Sequence, residues 1–135
     1  MIRYADIVPD AIQVELISLR DSMTRCGWRV GDLTNAIVDH CDVNKIMVSK
    51  MDVYQAVGVF AGKAGRTVRD YAMLSAFYSP ATRLEYDILS IDHFRTALRL
   101  GEAWQTGLEW CADQVATLGR PAGVDAMEAR FMQKR

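Results

Sequence analysis

Arg66, Thr67, Arg69 and Asp70 stand directly after the glycine-punctuated run VGVFAGKAG, residues 57–65. The chemistry open to them is recognition. A guanidinium can donate two parallel hydrogen bonds to the acceptors on the guanine edge, which marks Arg66 and Arg69 as the favoured readers of sequence. A threonine hydroxyl can meet either a base or a phosphate. Lys63 inside the glycine run, and Lys50 ahead of it, suit phosphates, where they add affinity without sequence information.

For these side chains to act together, something must point them the same way. A helix-turn-helix requires a small residue where its helices approach, and four residues later one that can take a positive φ. Gly58 and Gly62 have that spacing. Apolar positions on the second helix must then pack back, and Val68 and Tyr71 are placed to meet Val57 and Ala61. In this register Arg66, Thr67, Arg69 and Asp70 point outward from the start of the second helix, where a recognition helix reaches base edges. Lys63 occupies a turn position that is more often apolar in DNA-reading hairpins. A helical hairpin with a few arginines on a solvated face is the competing reading.

Charge is distributed to match. The chain of 135 residues has a net charge of −1. Residues 43–69 nevertheless hold Lys45, Lys50, Lys63, Arg66 and Arg69 against the single acid Asp52, and both flanks are net acidic. Such a local concentration is the electrostatic footprint of a polyanion site.

Motifs for other chemistry are missing. AGKAGRT lacks the Lys-Ser/Thr pair of a phosphate-binding loop, and there is no HExxH or GxSxG. Cys26, Cys41 and Cys111 are widely spaced, which suggests neither a zinc site nor a disulfide framework. His40 beside Cys41 reads as an accidental neighbour of a reduced core thiol. Asp39 with Asp42, and Glu85 with Asp87, read as surface acids. The expectation is a protein without catalytic activity, cofactor or metal.

Length and a hydrophobic content of 50% fit one domain with a real core. The longest central apolar run, AVGVFAG, is too short to span a bilayer. MIRYADIVPD carries acids where a signal peptide needs its apolar core. The expected setting is cytoplasmic, away from membranes.

Periodicity predicts an all-α, multi-helix domain with the helix-turn-helix at about 50–77 and a C-terminal helical region. A first helix, about Pro9–Cys26, aligns Ile12, Leu16, Leu19 and Met23, and Gly27 is placed to end it in a left-handed conformation. A second, about Val30–Cys41, buries Leu33, Ile37 and Cys41, with Trp28 filling the angle between the two. CDVNKIMV is open between loop, strand and helix. Ser49 and Asp52 then form a capping box for a helix to about Ala61, and another runs from about Gly65 to Phe77. Ser79 with Pro80 starts a short helix, and Ser90 caps one in which Phe94, Ala97 and Leu98 face the core. A longer helix, about Glu102–Leu118, aligns Trp104, Leu108, Cys111, Val115 and Leu118. Gly119 and Pro121 close it, and Val124, Met127 and Phe131 mark a last helix before the basic end QKR.

The run from Val59 to Leu100 resembles the central DNA-binding region of ParB-type plasmid and chromosome partition proteins. The likeness is carried by Gly62-Lys63-Ala64, Val68, Leu89-Ser90, His93 and Ala97-Leu98. Ile91-Asp92 stands where that family has a glycine before the histidine. The resemblance implies a double-stranded DNA-binding core, with His93 as a packed or hydrogen-bonded residue of a supporting helix. No nucleotide-binding or clamp-forming region of the family is evident.

The leading expectation is therefore sequence-specific binding of double-stranded DNA by a small phage- or plasmid-type regulator. A helical protein–protein adaptor, and a DNA-packaging or replication accessory protein, remain alternatives. Trp104 and Trp110 fall on different sides of one helix, which suggests a homodimer through residues at about 102–131. A monomer with one tryptophan half-exposed is the other reading.

Overall fold

The computed structural model describes residues 3–20 and 27–132, and it is all-α, with no strand among them. The chain divides into two compact units, residues 1–77 and 78–135.

In the first unit a short helix α1 (Tyr4–Ile7) leads into α2 (Asp10–Arg20), α3 (Gly27–Val43), α4 (Lys50–Ala61) and α5 (Gly65–Phe77). α5 packs on both α3 and α4, and α2 and α1 lie against α4. Ile7, Val8, Leu16, Val30, Ile37, Val53, Val57 and Val68 form the buried core. Arg29 clamps Glu15 with two bonds of 2.7 and 2.9 Å, pinning the first turn of α3 to α2. Met23 and Cys26 lie outside the described residues, as do the side chain of Leu19 and the basic end, 133–135.

Gly27 departs from its expected role. It is not a left-handed terminator: the glycines with positive φ are Gly62, Gly101 and Gly119, and Gly27 opens α3. The reason is tertiary. The first turn of α3 meets α5, where the Ser75 hydroxyl donates to the Trp28 carbonyl at 3.2 Å. Trp28 thus belongs to α3 itself. The ambiguous CDVNKIMV resolves into the end of α3 and a loop. Lys45 turns there with φ 55°, while the Ile46 N–H donates to the Cys41 carbonyl at 2.9 Å.

The second unit comprises α6 (Pro80–Glu85), α7 (Ile91–Leu98), α8 (Trp104–Asp113), α9 (Val115–Leu118) and α10 (Val124–Phe131), with a 3-10 turn at Gly101–Ala103. Its aromatic centre is Tyr78, whose ring meets Phe94 and Trp104 edge-on at 4.9 and 5.3 Å. The Tyr78 hydroxyl donates to the Phe94 carbonyl at 2.8 Å. The long helix expected to Leu118 breaks at Gln114. In a continuous helix the Cys111 carbonyl would accept from the Val115 N–H. Here the returning chain takes it, through the Ala122 N–H at 3.1 Å. Leu118 falls off the buried stripe and is 55% exposed.

Candidate functional site

The hairpin is built from its caps inward. The Ser49 hydroxyl accepts from the Asp52 N–H at 3.1 Å, and the Asp52 carboxylate accepts from the Ser49 N–H at 3.0 Å. This closes the capping box that starts α4. At the other end Gly62 adopts φ 67°, ψ 36°, a left-handed conformation that favours glycine. The Lys63 N–H closes back onto the Gly58 carbonyl at 3.0 Å. A Cβ on Gly58 would overlap the Lys63 carbonyl, so this glycine makes room for the turn. The close approach of the two helices falls instead at Gly65, where a Cβ would sit 3.2 Å from the Gln55 side chain.

A second crossing fixes α5 from behind. Gly31 of α3 lies so near that a Cβ there would overlap the Tyr71 carbonyl and the Ser75 hydroxyl. The Asn35 amide donates to the Ala72 carbonyl at 3.0 Å. Val68, Ala72, Leu74 and Ser75 are buried on this side and Tyr71 is half-buried. The spacing of apolar residues predicted this inner face; the role of Gly31 it did not.

The six expected contact residues can now be placed. Arg66 and Arg69 are exposed on α5, and Lys63 is exposed in the turn. Thr67 is half-buried, which leaves its hydroxyl less free than the sequence suggests. Asp70 lies beside Arg69, its carboxylate 3.8 Å from the guanidinium, with the two side chains 36% and 44% exposed. Arg66, Lys63 and Lys50 form no ion pair with any described residue. Of the two arginines, Arg66 is the freer. Lys50 stands at the far end of α4, about 18 Å from the turn at 1.5 Å per residue, and shares its turn with Asp52. Arg66, Arg69 and Lys63 form the compact part of the set, with Lys50 an outlier.

The outer face of α5 extends further than the sequence reading took it. Met73 and Phe77 continue it and are 56% and 51% exposed. Residues at i, i+4 and i+7 share one side of a helix, so the signal was available from Arg66 onward.

Elsewhere the functional expectations meet ordinary packing. His93 supports the start of α7: the Ser90 N–H donates to its Nδ1 at 3.1 Å, so the proton sits on Nε2, which donates to the Ala122 carbonyl at 2.8 Å. Cys41 and Cys111 are free, buried thiols, and burial raises both pKa values. Among the described residues no group of three His, Cys, Asp or Glu side chains could hold a metal, and no buried side-chain polar atom lacks a partner. No helix there is long and apolar enough to cross a membrane. Trp110 packs edge-on against Phe131 at 5.8 Å, with the Arg130 guanidinium 5.9 Å from its ring, so its place off the stripe has an explanation within its own unit.

Comparison with protein-family models, curated proteins and solved structures finds no match for this chain. The likeness to ParB-type proteins thus has only its own residues behind it.

Proposed function

We propose that the protein binds double-stranded DNA by setting the α4–turn–α5 hairpin against the duplex, with the start of α5 in the major groove. The sidedness of α5 is the observation behind this reading. Its inner side is locked by Val68, Ala72 and the Gly31 crossing, while Arg66 and Arg69 stand exposed at its start beside Lys63. The first turn of α5 contains no acid, so no carboxylate there offsets the positive end of its dipole. Arg66 would read a guanine, Arg69 with Asp70 the neighbouring positions, and Thr67, Lys63 and Lys50 would contact backbone. A small sequence-specific regulator fits this best. A packaging or replication accessory protein would use the same contacts.

Selection from a random duplex library at low salt, followed by anisotropy titration, tests the proposal. Arg66→Ala should weaken binding to the selected site by about 1–3 kcal/mol and relax preference at one position. Arg69→Ala should have a smaller effect, because Asp70 already engages it. If nothing is enriched, the DNA reading is lost. The adaptor alternative, with α5 docking on an acidic protein, draws on exposed Phe77 and would then lead. One reading helix gains specificity when two copies meet a symmetric site. A homodimer on such a site would show as a two-to-one complex by light scattering.

A further inference from the structure

The outer face of α5 carries one more residue suited to sequence discrimination. Arg66, Arg69, Asp70 and Met73 follow the i, i+3, i+4, i+7 pattern that places four side chains on one side of a helix. Homeodomain recognition helices read bases from positions of this same spacing. Met73 is no core filler: it is 56% exposed, while Ala72 and Leu74 beside it are buried at 2% each. A thioether has no donor and only a weak acceptor, so it cannot read the polar edges available to Arg66 and Asp70. The major groove presents one distinctive apolar group, the C5-methyl of thymine. Methionine is flexible and polarisable enough to settle on it.

Resting on the DNA reading above, we infer that Met73 is a specificity residue for a thymine methyl group. At 1.5 Å per residue Met73 lies about 10 Å along α5 from Arg66, or roughly three base-pair steps of 3.4 Å. The preferred duplex therefore has a thymine, on either strand, within about four base pairs of the guanine read by Arg66. The exposed cations Arg66, Arg69 and Lys63 on the same end of the hairpin make duplex DNA the occupant complementary to this face in charge. Phe77, a further turn along at i+11 from Arg66, lies beyond the i, i+3, i+4, i+7 set.

Replacing thymine with deoxyuridine removes the methyl and leaves base pairing intact, which gives a direct test on the full chain. One such replacement in the selected site should weaken wild-type binding about fourfold, the scale of a single buried methyl group. Met73→Ala should lose a similar factor on the thymine duplex and bind the thymine and uracil duplexes equally. Met73→Leu should retain most of the discrimination. Met73 is exposed, so circular dichroism and thermal melting of both variants should match wild type. A selected site lacking thymine in that interval overturns the inference, as does a Met73→Ala variant still sensitive to the methyl. If Arg66→Ala weakens binding but no thymine replacement does, Met73 alone has been misassigned. If no duplex binds at all, the DNA reading fails and the thymine contact fails with it.

Discussion

Cys111 shows how one side chain can report on the second unit. Burial pushes its thiol pKa from the ordinary 9.0 up to about 11. The folded chain therefore keeps its proton at pH values where the unfolded chain has lost it. A folded pKa above the unfolded one contributes stability that is complete below about pH 9 and erodes as the pH rises toward 11. Burial raises Tyr78 above its ordinary 10.0 as well, so its contribution starts to fall about one unit later. Thermal melts followed by tryptophan fluorescence should show a decline from pH 9, at most about 1.4 kcal/mol per pH unit for each group. Cys111→Ala should make the decline between pH 9 and 10 shallower, with the raised Cys41 thiol contributing the remainder. It should also lower stability at neutral pH through the cavity it leaves. A decline unchanged by that substitution would show that the thiol plays no part in it.

Among the elements, the hairpin and the crossing behind it differ in how far the sequence could anticipate them. The bounds of α4 and α5 were legible because their signals are local: a capping box at Ser49 and a left-handed glycine at Gly62. The α3–α5 crossing was not. Gly31 sits mid-helix, and nothing nearby in sequence says that Tyr71 and Ser75 will arrive against it. Gly27 was misread for the same reason, since the contact of its helix turn with α5 is long-range. Of the candidate site, the basic start of α5 was legible from composition and period, whereas the Arg69–Asp70 pair and the half-burial of Thr67 depend on three-dimensional detail. These differences predict a ranking in chemical denaturation. Gly62→Ala should cost about 1–2 kcal/mol, the penalty of left-handed backbone. Gly119→Ala should cost a similar amount, since φ there is 74° and a Cβ meets nothing. Gly31→Ala and Gly58→Ala force a Cβ onto a backbone carbonyl, and overpacking of that kind costs about 1–3 kcal/mol or more. If Gly31→Ala proved as stable as wild type, the close α3–α5 packing would have to be abandoned.

At the scale of the whole molecule, the proposed binding of a polyanion by an anionic chain would place a strong constraint on how the two can meet. With a net charge of −1 and an isoelectric point near 6.1, the protein as a whole gives DNA no attraction. Under the proposed reading, the approach is carried by the cations of the hairpin. At 0.1 M salt the screening length is about 10 Å, so any acid farther than that from this face contributes little. The number of phosphates neutralised is then at most about four, through Lys50, Lys63, Arg66 and Arg69, and the logarithm of the binding constant should fall with the logarithm of salt at a slope no steeper than about −3.6. Lys63→Ala should make that slope shallower by about 0.9 and weaken all duplexes nearly equally. Lys50→Ala should change it less, because Lys50 is remote from the turn and shares its helical turn with Asp52. Arg95→Ala, in the second unit and already bonded to Asp92 at 3.0 Å, is the control and should leave the slope unchanged. Anisotropy titrations between 50 and 200 mM salt would measure all four proteins. A slope clearly steeper than about −3.6 would mean that more cations meet the backbone than this hairpin supplies, and an equal response to Arg95→Ala would move the interface off α4 and α5.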